Sequence, residues 1–146
     1  MDNKQIVIKV TKTKDNAVIP QKAYDSDSGY DITLITYEKQ MGTNLHLFGT
    51  GLCVAPDEGF YVELVARSSL MKHGYMLANN IGIIDNHYRG ELFVALFKFD
   101  QSKPNLELPL RAAQIIPRKI IDAKIVYSNN LDDTERGTGG FGSTGK

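Results

Sequence analysis

Hydrophobic and polar residues alternate in short runs along most of the chain, as they do in half-buried β-strands. QIVIKV alternates around Ile6, Ile8 and Val10, and GFYVELVA and ELFVALFKF are rich in β-branched and aromatic residues. LHLF, GLCVA, AQIIPRKI and AKIVY read as further short strands. Turn-forming clusters separate these runs, namely YDSDSGYD, APDEG, DQSKPN and SNNLDD. Many short strands at regular spacing predict an all-β sandwich or barrel.

No segment has a helical stripe of normal length. SSLMKHG alone predicts a short helical turn, with Ser68 as its cap and Gly74 ending it. The chain has no internal repeat and no long linker, so its 146 residues predict a single domain, with its body over residues 1–133. Residues 134–146 are rich in glycine, and Phe141 is the one apolar side chain there. We therefore predict that 134–146 is a flexible arm of the same domain.

Composition and charge exclude several classes of protein. The hydrophobic fraction is 42%, and no apolar run approaches the roughly 18 residues that a membrane span needs. Seventeen basic and 17 acidic residues give a formal net charge of zero, which argues against bulk binding of nucleic acid. Cys53 is the single cysteine, so an internal disulfide is excluded. MDNKQIVIKV lacks the layout of a secretory signal, so we expect a cytoplasmic or nuclear protein.

The terminal segment RGTGGFGSTGK matches two nucleotide-binding patterns. Residues 137–142 spell G-x-G-x-x-G, and residues 140–146 spell the first part of a P-loop. Both patterns need a helix after the glycines, and only STGK follows, so both matches fail on context. A phosphate role without either fold remains, since glycines expose backbone N–H groups and Arg136 adds a donor. From this segment alone, a mobile tail that binds nothing is equally consistent.

The segment NNIGIIDNHYRGE places Asp85 directly after an apolar run. Burial against IGII would raise the proton affinity of this carboxylate, which suits a general base. Tyr88, three residues later, would pack against a ligand or against the core. Taken alone, the segment favours a simpler interpretation, a turn aspartate with a packing tyrosine, because aspartate is common in turns.

Three further segments carry polar residues at the ends of predicted strands. In ELVARSSLMKHG, the donors of Arg67, Ser68 and Ser69 converge where a strand becomes a helical turn, an arrangement suited to a polyphosphate or simply a capped turn. In RAAQII, Gln114 either contacts a ligand or faces solvent by alternation. In DSGYDI, Asp31 is either a turn residue or an acid near a hydrated metal.

Taken in order, DSGYDITL, ARSSLMKHG, GIIDNHYRGE, RAAQII and RGTGGFGSTG resemble the five sequence motifs of the trimeric dUTP diphosphatases (dUTPases). The resemblance runs from about Ser28 to Gly145, and IIDNHYRGE and RGTGGFGSTG are its most specific parts. It implies a distorted, jelly-roll-like β-barrel that assembles as a homotrimer with exchanged C-terminal arms. In such a trimer the arm of one chain closes over a site formed by the other two.

The resemblance also implies a reaction, the hydrolysis of dUTP to dUMP and pyrophosphate, which limits uracil in DNA and supplies dUMP for dTMP synthesis. Asp85 would activate the water that attacks the α-phosphorus in line. Mg²⁺ would bridge the triphosphate, with Asp31 acting on it through a coordinated water. The residues that the resemblance assigns to substrate binding are Arg67, Ser68, Ser69, Asn79, Gly82, Ile84, Tyr88, Gln114, Arg136, Phe141, Gly142, Ser143 and Thr144.

Within that set, the resemblance implies different roles for different parts of the nucleotide. Arg67, Ser68 and Gln114 match phosphate contacts, and Arg136 is the candidate for the γ-phosphate. Phe141 would cover the uracil ring. Backbone groups of NNIGII, with the Asn79 side chain, would pair with the uracil edge, and cytosine would leave buried groups there unpaired. Tyr88 under the deoxyribose would leave no room for a 2′-hydroxyl.

The chain departs from the usual family pattern at three positions. His87 stands where the family usually has an acidic residue, which changes the local hydrogen bonding and pH response. Ser69 replaces a common glycine, and Ser28 replaces a common alanine. None of these changes removes a residue with an assigned role.

Two alternative functions stay open at this point. A dCTP deaminase shares the fold and a similar RSSL segment, but it needs a catalytic glutamate and lacks the arginine and phenylalanine of the arm. A non-catalytic nucleotide sensor or protein-binding relative is the second alternative. IIDNHY and RGTGGFGSTG favour the diphosphatase over both.

Overall fold

The computed structural model describes residues 5–143 and 145. The described part of the chain contains ten β-strands and one short 3₁₀ helix over Ser68–His73. Within it, no helix is long and apolar enough to cross a membrane. The strands are β1 (Ile8–Lys12), β2 (Tyr30–Leu34), β3 (Thr36–Gly42), β4 (Leu45–Gly49), β5 (Leu52–Pro56), β6 (Phe60–Ala66), β7 (Tyr75–Leu77), β8 (Gly82–Ile84), β9 (Phe93–Lys98) and β10 (Leu110–Lys119).

The strands form three antiparallel sheets. The first sheet contains two strands, β1 and β5. The other two contain four strands each, in the orders β2-β10-β6-β8 and β3-β4-β9-β7. Most neighbours in a sheet are distant in sequence, so the chain crosses repeatedly between the sheets. This arrangement confirms the predicted all-β, jelly-roll-like fold.

The core lies between the inward faces of the strands, where apolar side chains alternate with outward ones. In β9 the buried positions are Val94, Leu96 and Lys98, while Phe93 and Phe97 point outward and are exposed. The largest fully buried side chains come from both four-stranded sheets and from neighbouring segments; they are Ile32, Leu34, Leu52, Leu70, Leu92, Leu96, Ile115, Val54, Val62, Val94 and Thr50. The strands predicted at GFYVELVA and ELFVALFKF from their β-branched and aromatic residues are therefore confirmed as β6 and β9.

The strand predicted at AKIVY is wrong for the single chain. Residues 120–133 contain no strand, and Ile125 is 91% exposed. A strand needs a hydrogen-bonded partner, and this segment finds none among the described residues of its own chain. Its apolar residues are therefore unburied in the isolated subunit.

The short helix is present, but its predicted cap is wrong. Arg67, not Ser68, occupies the N-cap position, and no side-chain capping bond is formed there. Gly74 ends the helix as predicted, since its φ of 79° lies in the left-handed region that glycine favours.

No clear alternation of apolar and polar residues marks β2, β3 and β7. The side chains of β3 are almost all exposed, and β7 has only three residues.

Candidate active site

The candidate base, Asp85, directly follows β8, the edge strand of its sheet. The Tyr88 N–H donates to the Asp85 carbonyl at 3.0 Å, so residues 85–88 form a tight turn. The Asp85 side chain is exposed, so the burial predicted from the apolar run is absent in the single chain. The reason is that β8 is short and lies at an edge, with Ile83 facing outward.

A cavity of about 200 Å³ opens beside this turn. Its lining combines the candidate base with apolar and aromatic side chains of β8 and the start of β9, namely Ile83, Ile84, Asp85, Tyr88, Glu91, Leu92 and Phe93. The cavity is large enough for part of a nucleotide but not for a whole nucleoside triphosphate.

Tyr88 lines this cavity instead of packing in the core. Its hydroxyl donates to the Glu91 carbonyl at 3.0 Å, and its side chain remains 44% exposed. The ring folds back over Gly90, where an added Cβ would overlap the phenol. Gly90 therefore allows the observed position of Tyr88 beside Asp85.

Asn86 anchors the Asp85 turn to the rest of the protein, a role that was not predicted from the sequence. Its Nδ2 lies 2.7 Å from the Phe60 carbonyl, 2.9 Å from the Asp57 carbonyl and 3.4 Å from the Pro56 carbonyl. Pro56 ends β5, Asp57 lies in the connection, and Phe60 begins β6. The only sequence signal is that asparagine is common in turns, which says nothing about the partners.

A second group of candidate residues meets at the far end of β6. Arg67 follows this strand, and its Nε lies 3.1 Å from Asp31 Oδ1. Its Nη1 also donates to the Arg111 carbonyl at 2.9 Å. The Asp31 side chain is only 14% exposed, while Arg67 is 30% exposed, so the ion pair is partly shielded from water. The pair holds the guanidinium in a fixed orientation with further N–H donors left over.

Gln114 lies between the same strands because β10 pairs with both β2 and β6. In register, Gln114 faces Asp31 on one side and Val65 on the other. Its Nε2 donates to the Ala66 carbonyl at 3.1 Å, so the side chain is half-buried instead of facing solvent. An added Cβ on Gly29 would overlap the Gln114 amide, which explains the glycine in DSGYD. We call Asp31, Arg67 and Gln114 the phosphate cluster.

The two serines after Arg67 begin the 3₁₀ helix at the edge of this cluster. Ser68 is exposed, and Ser69 is half-buried. A surface cavity of about 520 Å³ here is lined by two arginines, a histidine and neutral residues, namely Val18, Thr33, Arg67, Ser69, His73, Pro109, Leu110 and Arg111.

Arg111 was not predicted from the sequence. Its Nη1 lies 3.9 Å from Asp31 Oδ2, so two arginines flank one carboxylate.

The chemistry of this donor set limits how it can hold a metal. Among the described residues, no group of three or more His, Cys, Asp or Glu side chains has the geometry of a metal site. Asp31 Oδ1 is paired with Arg67, whereas its Oδ2 has only the more distant Arg111. Magnesium commonly takes one or two carboxylates, several waters and substrate phosphates. The cluster therefore fits Mg²⁺ carried on a polyphosphate and not an ion held by protein ligands alone.

The residues predicted to read a base lie on the turn between β7 and β8. These strands belong to different sheets, so NNIGII is a crossing between sheets. An added Cβ on Gly82 would approach Leu64 at 3.3 Å and Asn79 Nδ2 at 3.6 Å. The Asn79 amide thus lies beside the bare backbone of Gly82, and Ile84 leads from there to the Asp85 cavity.

The arm residues stand apart from both groups in the single chain. Arg136 Nε donates to the Gly139 carbonyl at 2.9 Å, and the Ser143 N–H donates to the Gly140 carbonyl at 3.1 Å. Among the described residues from 134 to 145, every hydrogen bond found joins residues of this range to one another. Phe141 is fully exposed. The predicted binding residues Gly142 and Ser143 lie in the same local turns, and Thr144 lies outside the described residues.

The pKa of one tyrosine, Tyr61, is shifted on β6, the strand that pairs with β8. Tyr61 donates to Glu63 at 3.0 Å, and this hydrogen bond raises the pKa of the phenol. Arg118 Nε lies 3.1 Å from the same carboxylate. Glu63 therefore joins β6 to β10 by charge, between the Asp85 turn and the phosphate cluster.

The dUTPase family model matches residues 15–145. The deoxyuridine 5′-triphosphate nucleotidohydrolase of Helicobacter pylori strain ATCC 700392 / 26695 is 34% identical over 139 residues, which cover 94% of this chain and 96% of the relative. The enzyme of the same name from Nautilia profundicola is 36% identical, covering 95% of this chain and 99% of the relative.

Solved structures with the same fold come from bacteriophages. A mutant dUTPase of Staphylococcus bacteriophage 80alpha, solved with dUpNHpp, has a TM-score of 0.82 and 21% identity, covering 96% of this chain and 99% of that one. A mutant dUTPase from phage phi11 of S. aureus, described for the coordination of a structural Mg(II) ion, has a TM-score of 0.71 and 17% identity. Its match covers 87% of this chain and 99% of that one. At these identities the phage structures establish the fold alone, whereas the family model and the bacterial relatives extend over nearly the whole chain. The chain belongs to the dUTPase family.

Proposed function

We propose that this protein hydrolyses dUTP to dUMP and pyrophosphate in the presence of Mg²⁺. The observation that carries the proposal is a single sheet, β2-β10-β6-β8, which bears a carboxylate beside a cavity of about 200 Å³ and, separately, the phosphate cluster with its Arg67–Asp31 ion pair. The name shared by the bacterial relatives supports the same reaction. A carboxylate that takes a proton from water and cations that hold phosphates are the parts that such a hydrolysis needs.

In the proposed mechanism Asp85 is the general base. Its carboxylate accepts a proton from a water molecule, and the oxygen of that water attacks the α-phosphorus in line with the leaving pyrophosphate. Closure of the site over the exposed Asp85 would exclude bulk solvent and strengthen its interaction with the attacking water. Asp85 would thereby gain the desolvation that it lacks in the isolated subunit.

The phosphate cluster holds the triphosphate in this mechanism. Arg67 presents its free N–H groups, Gln114 its second amide N–H, and the serines of the 3₁₀ helix their hydroxyls. Bound Mg²⁺ would supply charge neutralisation for the phosphates, with Asp31 Oδ2 facing it through a coordinated water. Because Asp31 also pairs with Arg67, it would position both the cation and the guanidinium.

The separation of the two groups along β6 supports a site shared between chains. Ile84 pairs with Val62, so Asp85 lies beside Tyr61, while Arg67 lies six residues further along the same strand. At the rise of an extended strand this separation is about 20 Å. Asp31 and the Arg111 carbonyl hold the Arg67 guanidinium in place, so the side chain does not bridge the gap. One chain cannot present both groups to one α-phosphate, and we propose that Asp85 of one chain faces the phosphate cluster of another.

A homotrimer is the assembly that fits this sharing. Met76 and Phe97 pair across β7 and β9, and together with Phe93 they leave an exposed apolar surface on one sheet. The segment 120–133 adds further exposed apolar side chains. Both are typical of surfaces that another copy of the chain covers.

Uracil recognition follows from the turn between β7 and β8. Asn79 and the backbone around Gly82 and Ile84 would pair with the edge of the base, and cytosine would present a donor where uracil presents an acceptor. A close backbone would leave no space for the methyl group of thymine. Tyr88 would pack under the deoxyribose and leave no room for a ribose 2′-hydroxyl.

The arm is the remaining part of the proposed site. We propose that residues 1–133 form the catalytic body and that 134–146 close over a site on neighbouring chains. Arg136 would bind the γ-phosphate and Phe141 would stack on uracil. Glycine-rich backbone, with Gly142, Ser143 and Thr144, would wrap the phosphates closely.

Pyrophosphate release from four nucleotides tests the proposal. Purified protein with Mg²⁺ is expected to release pyrophosphate from dUTP, with dCTP, dTTP and UTP hydrolysed far more slowly. Ammonia from dCTP would identify a deaminase instead, and no product from any of the four would indicate a sensor. The Asp85→Asn variant controls for contaminating phosphatases, because its preparation would carry the same contaminants.

A further inference from the structure

We propose that Asn86 is a positioning residue that fixes the Asp85 carboxylate for attack on the α-phosphorus. The inference rests on the proposed function of Asp85. Asn86 touches neither substrate nor reacting atoms in this account. It acts by fastening the turn that carries Asp85 to a neighbouring loop.

The contacts of Asn86 use its whole hydrogen-bonding capacity as a donor. An amide nitrogen has two N–H groups, and here three carbonyl oxygens, of Pro56, Asp57 and Phe60, lie within 3.4 Å of it. The two shorter contacts, to Phe60 and Asp57, account for both hydrogens. An aspartate in the same position would place a carboxylate oxygen against the carbonyl oxygens of Asp57 and Phe60, so these contacts require the amide of asparagine.

The loop that receives these bonds is itself held from three sides. The Phe60 N–H donates to the Asp57 carbonyl at 3.2 Å and closes the turn. Val7 donates to Asp57 Oδ2 at 2.8 Å and accepts from the Asp57 N–H at 2.9 Å. The Ile120 N–H donates to the Gly59 carbonyl at 2.8 Å. Asn86 is thus tied to a rigid support that the N-terminal segment and β10 both reinforce.

The turn that carries Asp85 has little else to fix it. β8 has three residues and pairs on one side only. After β8, one backbone bond, from Tyr88 to Asp85, closes the turn, and the exposed Arg89 side chain adds two contacts to carbonyls within it. Without Asn86, the turn could shift relative to β6 by an ångström. A displacement of that size can lower turnover by as much as about 100-fold.

The next residue gives a matched control on the same turn. His87 Nε2 lies 3.4 Å from Glu58 Oε1, so it reaches the same loop as Asn86. However, these side chains are 79% and 89% exposed, and an ion pair in that setting contributes little. His87→Ala therefore removes a contact to the same loop without removing the anchor.

Steady-state kinetics on dUTP separate the two residues. Asn86→Ala is expected to lower kcat by about 10- to 100-fold with KM changed by less than about twofold, since the base is displaced while binding groups stay in place. His87→Ala is expected to keep both constants within about twofold. Asn86→Asp keeps the side-chain volume but loses the donors, so it should lose at least as much kcat as the alanine variant. Near-normal kcat in both Asn86 variants would overturn the inference.

A double-mutant cycle with Asp85→Asn distinguishes positioning from a general structural effect. If Asn86 acts through Asp85, adding Asn86→Ala to Asp85→Asn should lower single-turnover hydrolysis by no more than about twofold further. A full, additive loss would overturn the proposal. If Asn86→Ala does not fold, Asn86→Ser, which keeps one hydrogen-bond donor, takes its place in the cycle, and the same two outcomes decide the result. Wild-type protein that leaves dUTP intact would instead overturn the proposed function, and this inference with it.

Discussion

The β-sheet body and the C-terminal segment of the chain differ in how their apolar residues are used. Between Ile8 and Lys119, ten strands pair with one another and enclose a core of fully buried side chains. From residue 120 to 143 there is no strand, and large apolar side chains are exposed, namely Ile120, Ile121, Ile125, Val126, Tyr127, Leu131 and Phe141. The region from Ile8 to Lys119 therefore encloses a core within one chain, although it leaves surface side chains such as Met76, Phe93 and Phe97 exposed, whereas the segment from residue 120 to 143 encloses no core.

This difference has an energetic consequence. Burying a large apolar side chain fully is worth about 1.5 to 3 kcal/mol, and the C-terminal segment leaves several of them in water. That free energy is available for association with another copy. The proposed site has the same division, because Asp85 and the phosphate cluster lie on the body, whereas Arg136 and Phe141 lie on the segment.

The largest expected effect concerns the body. Asp85→Asn should lower kcat by about 100- to 10,000-fold while nucleotide binding is kept, the range for loss of a general base. Turnover is followed by pyrophosphate release, and binding by calorimetry with dUTP. Near-normal turnover would exclude Asp85 as the base.

Removing the arm, residues 134–146, should have the next largest effect. Loss of a charged phosphate contact and of the stacking ring is expected to lower kcat/KM by about 100- to 1,000-fold. Because the core lies wholly in the body, the truncated protein should melt as the full chain does and elute as the same oligomer. Unchanged kinetics would remove the arm from the proposed site.

Phe141→Ala should have a smaller effect than the truncation. Stacking of an aromatic ring on a base is worth about 1 to 3 kcal/mol, so kcat/KM should fall by about 5- to 150-fold. Thr138→Ala, on the same exposed segment, is the control and should behave like wild type. An equal, small loss in both variants would contradict a stacking role.

The smallest expected effect is on stability, and it compares the two regions directly. Leu96→Ala in the core should lower the free energy of unfolding by about 2 to 5 kcal/mol at any protein concentration. Ile125→Ala should lower it by only about 1 kcal/mol. That decrease should change with protein concentration, because the side chain is buried only on association. Urea unfolding at two concentrations measures both. A concentration-independent loss in Ile125→Ala would contradict the role in assembly.

The sequence predicted the parts of the fold that depend on local pattern. The alternation in β6, β9 and β10 is a property of each strand and could be read directly. β3 could not be read in this way, because its side chains are almost all exposed and carry no alternation. AKIVY has a strand pattern, but no strand of the described residues pairs with it, and a strand's own pattern does not reveal whether it has a partner.

The site was predicted to a similar extent. The segments containing Asp85, Arg67 and Gln114 were identified, and β10 does bring Gln114 to Asp31. The role of Asn86 was missed, because its partner carbonyls lie 26 to 30 residues earlier in the chain. Ser68 was misread as a helix cap, because its hydroxyl makes no capping bond and Arg67 precedes it in extended backbone.

In the proposed trimer each site takes its base from one chain and its arm from another. Mixing two inactive proteins, Asp85→Asn and the chain truncated after Asp133, measures this sharing by complementation. After unfolding and refolding together at equal amounts, such sharing predicts recovery of about a quarter of the wild-type rate, from random assortment in a symmetric trimer. If mixed trimers form and no activity returns, base and arm belong to the same chain and the proposed sharing is wrong.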